Sequence, residues 1–68
     1  MQISARNVIK GRVTDVKKGA VAAQVKVDIG GGNTITSMIT VDSVEEMGVD
    51  VGAEVSVIIK STEVMLGK

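Results

Sequence analysis

The sequence predicts an all-β fold of five strands, with one short helix between strands 3 and 4, in a single domain over residues 1–68. Three observations carry this. Apolar and polar residues alternate strictly from Ala20 to Ile29, the period of two that marks a half-buried strand. Glycine clusters then interrupt the alternation where a hairpin has to reverse. No proline and no linker-like stretch divides the chain.

Strand 1 is read over Val8–Val16, where the pattern is mixed, with Lys17, Lys18 and Gly19 as the turn that follows. Strand 2 runs from Ala20 to Ile29, placing Val21, Ala23, Val25, Val27 and Ile29 on one face and Gln24, Lys26 and Asp28 on the other. Gly30, Gly31, Gly32 and Asn33 tolerate the positive φ of a tight reversal. Strand 3 spans Thr34–Val41, with Ile35, Ile39 and Val41 in phase and several β-branched residues that favour an extended chain. Over Asp42–Gly48 the reading changes to a single helical turn. Ser43 and Glu46 have capping-box spacing, and Gly48 can close a helix in the left-handed conformation. Asp50–Gly52 make a turn, Val55, Val57 and Ile59 alternate with polar neighbours in strand 4, and Val64–Leu66 form strand 5. This order fits a five-stranded OB-like barrel, although a small open sandwich gives the same string.

A chain of 68 residues buries only about 60% of the surface it exposes when unfolded. With neither Cys nor His it has no disulfide or ordinary zinc site with which to compensate, so self-association is the expected remedy. The hydrophobic content is 44% without a single Phe, Tyr or Trp, so the core has to be aliphatic. Eight basic and eight acidic residues cancel, which removes the usual electrostatic case for a nucleic-acid or membrane partner. The first eleven residues lack the apolar run of a signal peptide, and nothing approaches the roughly 18 apolar residues of a membrane span. The expectation is a cytoplasmic protein.

General acid-base and nucleophilic catalysis usually draw on His, Cys or a carboxylate pair, and no such constellation is present. The expectation is that the chain is not an enzyme, with no catalytic residues and no metal-cation site. The triple glycine is not followed by the Gly-Lys-Ser/Thr of a phosphate loop, so it reads as a turn. Two segments concentrate hydrogen-bond donors: Ser4-Ala5-Arg6-Asn7 and Lys60-Ser61-Thr62. A tetrahedral dianion needs converging donors, at least one positive charge and no carboxylate against it. Arg6 and Lys60 supply charge, while Ser4, Ser61 and backbone N–H groups supply neutral donors, the charged ones making bonds about twice as strong. In a barrel whose first and last strands meet, these segments could share one pocket; otherwise they are a solvated lead-in and an ordinary turn.

Ile3-Ser4-Ala5-Arg6-Asn7, Lys10-Gly11, Lys17-Lys18-Gly19, Asp42–Val49 and Ile59–Met65 together resemble the molbindins, the free-standing form of the Mop domain, along essentially the whole chain. The resemblance implies an OB-like barrel that assembles into a hexamer and holds molybdate or tungstate at subunit interfaces, for storage or homeostasis, without an organic cofactor. It implies that Ser4, Arg6, Asn7, Lys60 and Ser61 contact the anion and that a neighbouring subunit adds the hydroxyls of Thr40 and Ser43. It also implies a second class of anion site near a symmetry axis, for which the Lys17-Lys18-Gly19-Ala20 turn is the candidate. Two other readings remain at this point: an OB-type nucleic-acid binder, which ordinarily shows aromatic platforms and a basic groove, and a purely structural oligomerisation module.

Overall fold

The computed structural model describes residues 3–68. Its elements are β1 (Asn7–Lys18), β2 (Ala22–Gly30), β3 (Asn33–Thr40), α1 (Val41–Met47) and β4 (Glu54–Ile59), followed by one 3₁₀ turn over Ser61–Glu63. The strands form one antiparallel sheet in the order β3-β2-β1-β4. The all-β reading with a short helix after the third strand therefore holds, but the closed five-stranded barrel does not. Among the described residues the sheet is open, and the expected fifth strand, Val64–Leu66, is not a strand.

β1 organises the sheet because it serves two partners. Asn7–Arg12 pair with β4 and Arg12–Lys18 with β2, so Arg12 faces both Glu54 and Asp28. A strand that passes from one partner to the other must coil, and Gly11 stands beside the hand-over. A Cβ on Gly11 would lie 2.5 Å from Val27 Cγ1 and 2.8 Å from the Asp28 carbonyl oxygen, closer than non-bonded heavy atoms can pack.

The mixed pattern of this strand has a physical cause. Val13 pairs with Val27, yet Asp15 pairs with Lys26, so Thr14 is the extra residue of a β-bulge. The bulge shifts the side-chain phase by one, and the core side passes from Val13 to Val16 instead of to Asp15. At the bulge the backbone of Val13 turns to a loop: its N–H donates to the Ala53 carbonyl at 2.9 Å, and its carbonyl accepts from Gly52 N–H at 2.8 Å.

β2 begins at Ala22, two residues later than expected, because Ala20 and Val21 belong to the turn, and Val21 is 74% exposed. β3 ends at Thr40, and Val41 already opens the helix. Thr40, not Ser43, is the N-cap: its hydroxyl oxygen accepts from Ser43 N–H at 3.0 Å. The expected pairing of Ser43 with Glu46 gives way because Ser43 already occupies the third helical position. Gly48 closes α1 at φ 66°, as its position predicted.

The core is a small aliphatic cluster of Val13, Ala23, Val25, Val27, Val44 and Val49. Val44 is the buried residue of α1, which therefore packs with β2 and β3 around the core cluster. Between α1 and β4 an apolar groove of about 540 Å³ stays open, bounded by Val25, Val27, Ile39, Met47, Val49, Val55 and Val57 among others. Beyond the 3₁₀ turn, Met65 and Leu66 are 90% and 95% exposed.

Candidate functional site

The two donor segments lie at opposite ends of the sequence, and the β1–β4 ladder brings them to one place. Its outermost pair is Asn7↔Ile59. Arg6 and Lys60 each lie one residue outside that pair, so the segments that carry Ser4–Arg6 and Lys60–Ser61 both leave the sheet at this end of the ladder. The Asn7 side chain strengthens the junction, its Nδ2–H donating to the Ile59 carbonyl at 3.1 Å. Nothing in local sequence reveals this bond, because its partners are 52 residues apart.

Ser4, Arg6, Lys60 and Ser61 are exposed and Asn7 is half-buried. The ion pairs among the described residues, Arg12–Glu54 at 3.2 Å and Lys18–Glu45 at 4.0 Å, do not engage Arg6 or Lys60. Both cations are thus presented to solvent. Lys60 holds an extended backbone, φ −64° and ψ 140°, and Glu63 N–H closes the turn onto the Lys60 carbonyl at 2.9 Å. This turn sets the direction in which Lys60 and Ser61 project.

Thr40 and Ser43 lie elsewhere. Thr40 pairs with Ala22, and Ala23 pairs with Lys18, so both hydroxyls sit near the far end of β1 from Asn7. Eleven strand steps of about 3.3 Å separate those ends, well beyond hydrogen-bond reach even along a coiled strand. Here the Thr40 hydroxyl donates to Ser43 Oγ at 2.8 Å while accepting from Ser43 N–H. Its one proton is spent within the cap, and the proton of the Ser43 hydroxyl is the one left to donate outward.

Lys17 and Lys18, expected in a turn, are instead the last two residues of β1, paired with Gln24 and Ala23; with Gly19 and Ala20 they share this second pole. Lys18 is directed toward Glu45, and Gly19 N–H is bonded to the Ala22 carbonyl at 2.8 Å, leaving Lys17 as the cation of this segment that no ion pair among the described residues engages. A further depression of about 500 Å³ lies beside Gly11 and is lined by Lys10 and Arg12 but equally by Asp28 and Glu54. Carboxylates on both sides make it a poor place for a dianion.

Residues 3–66 match the TOBE domain. Molybdenum-pterin-binding protein 1 of Clostridium pasteurianum is 58% identical over 66 residues, covering 97% of each chain. Among solved structures, a molybdate binding protein from Sporomusa ovata superposes with a TM-score of 0.93 at 34% identity, with 100% of both chains covered. The cytoplasmic molybdate-binding protein ModG, in a form with molybdate bound, gives a TM-score of 0.94 at 43% identity over 98% of this chain and 48% of its own. These relatives are binding proteins by description, and their likeness supports an OB-like assignment of the sheet. No helix of the described residues is long and apolar enough to cross a membrane.

Proposed function

Since the chain belongs to the TOBE-domain family and to its molbindin (Mop) members, we propose that it binds molybdate or tungstate as an intact dianion where copies of the chain meet. The protein acts as a cytoplasmic store or buffer of the oxyanion, and not as an enzyme. The observation that carries the reading is the Asn7↔Ile59 pair, which joins the donor segments carrying Arg6 and Lys60 at one end of the β1–β4 ladder.

Binding is an exchange of water for protein donors. Arg6 and Lys60 provide charge, and Ser4, Ser61 and neighbouring N–H groups provide directed neutral bonds, with Asn7 between the two segments. No bond of the anion is made or broken. Ions that retain a proton at neutral pH are disfavoured, because a site composed of donors leaves that proton without an acceptor. Sulfate is distinguished by its smaller size. Molybdate and tungstate are nearly equal in size, so the site discriminates poorly between them.

Assembly completes the site. Thr40 and Ser43 cannot join Arg6 and Lys60 within one chain, but a two-fold pair in antiparallel arrangement places each pole against the other's opposite pole and forms two equivalent sites. The open groove beside β4 and the exposed Val64–Leu66 segment support this: the segment of a second copy can fill the groove as the fifth strand that a single chain leaves unformed. Three such pairs make the hexamer, and the Lys17–Ala20 segments at the end of β1, grouped by that symmetry, form the second class of anion site.

Calorimetric titration with molybdate, tungstate, sulfate and phosphate, combined with native mass measurement, tests the reading. Molybdate and tungstate should release heat with similar affinity, sulfate and phosphate should bind far more weakly, and the mass should be that of a hexamer. Silence toward every oxyanion overturns the assignment. Equal binding of sulfate removes the selectivity, and a monomeric mass removes the interfacial site.

A further inference from the structure

The segment Ser4–Arg6 has no regular structure, and Lys60–Ser61 begin beyond the last residue of β4. Their relative position is therefore set by the final rung of the β1–β4 ladder. Terminal rungs are the ones that open most readily. In this structure the rung carries a second tie, the bond from Asn7 Nδ2–H to the Ile59 carbonyl. An amide nitrogen turned to a carbonyl has one proton left to donate, and its own oxygen is an acceptor that repels an anion.

We propose that Asn7 is a positioning residue and not itself a ligand: its carboxamide clamps the start of β1 to the end of β4 and so fixes the spacing between Arg6 and Lys60. The proposal rests on the oxyanion reading and specifies how the two halves of that site are registered. The clamp acts before the anion arrives. It lowers the conformational cost of binding by holding the donors in place, and losing it leaves each donor present but poorly registered.

The test has two arms, with folding of each variant checked by thermal melting. In the ligand-free protein, ¹⁵N relaxation reports the order of the Lys60, Ser61 and Thr62 amides. Asn7→Ala should disorder these amides, while Asn7→Gln, which keeps a carboxamide donor, should restore part of the order and serves as the second variant if Asn7→Ala folds poorly. In calorimetry with molybdate, Asn7→Ala should weaken binding by about tenfold, and the double variant Asn7→Ala/Lys60→Ala should bind little worse than Lys60→Ala alone, because a misplaced Lys60 contributes little. Fully additive losses make Asn7 a direct ligand and overturn the positioning role. Unchanged order at Lys60–Thr62 in Asn7→Ala overturns the clamp whether or not molybdate binds, and no heat from the wild-type protein overturns the oxyanion reading beneath it.

Discussion

Arg6 and Lys60 flank the Asn7↔Ile59 pair, and two like charges held on neighbouring chain segments repel each other. A dianion bound at the proposed site would relieve that repulsion, so each cation is expected to contribute to binding more than to folding. We predict that Lys60→Ala weakens molybdate binding by roughly 10- to 150-fold, the equivalent of a charged hydrogen bond worth about 1.5–3 kcal/mol, while the melting temperature of the ligand-free protein stays the same or rises. Lys60→Arg should retain more of the affinity. Titration and melting of the two variants check this, and a Lys60→Ala protein that binds normally removes Lys60 from the site. The donor types at these positions were legible in the sequence because Ser, Arg and Lys advertise their chemistry. Their adjacency was not, since it depends on a strand register between residues 52 apart. The hydroxyls were legible as a pair but not in their polarity, because Thr40 takes the cap that the Ser43–Glu46 spacing suggested for Ser43.

Strand β2 was readable almost residue by residue, because Ala23, Val25 and Val27 alternate without interruption onto the core. Strand β1 was not, and the reason is the bulge at Thr14: inserting one residue flips the face of everything after it, so Val13 and Val16 read as a broken pattern although both face the core. Gly11 is the other local requirement of this strand. A methyl at that position meets Val27 and the Asp28 backbone, and the backbone partner cannot yield as a flexible side chain would. Gly11→Ala should therefore destabilise the protein by about 1–3 kcal/mol, the usual cost of overpacking, despite alanine's smaller backbone entropy cost. Denaturant unfolding measures it, and a variant as stable as the parent shows that β1 does not need its close approach to β2.

The closed five-stranded barrel was the part of the sequence reading that the fold does not bear out, since the described strands form an open sheet of four. The apolar pattern of Val64–Leu66 does suit a strand, but the segment stands exposed while the groove beside β4 stays open; the pattern specifies a strand without specifying whose sheet it joins. Removing residues 64–68 should accordingly lower the mass of the native assembly and weaken molybdate binding together, although Arg6, Lys60 and Ser61 remain. Native mass spectrometry decides this, and a truncated hexamer with full affinity rules out the tail as the joining element. The separation of the two poles has a genetic consequence as well. In the proposed assembly a Lys60→Ala chain would be defective at one pole, and a Ser43→Ala chain, which keeps the Thr40 hydroxyl cap on the backbone N–H of residue 43, at the other. Co-folded in one two-fold pair, they yield one site carrying both lesions and one site carrying neither. Two variants that each bind poorly should therefore complement when co-expressed, with a single wild-type-like site restored per mixed pair, as titration of a doubly tagged preparation would count.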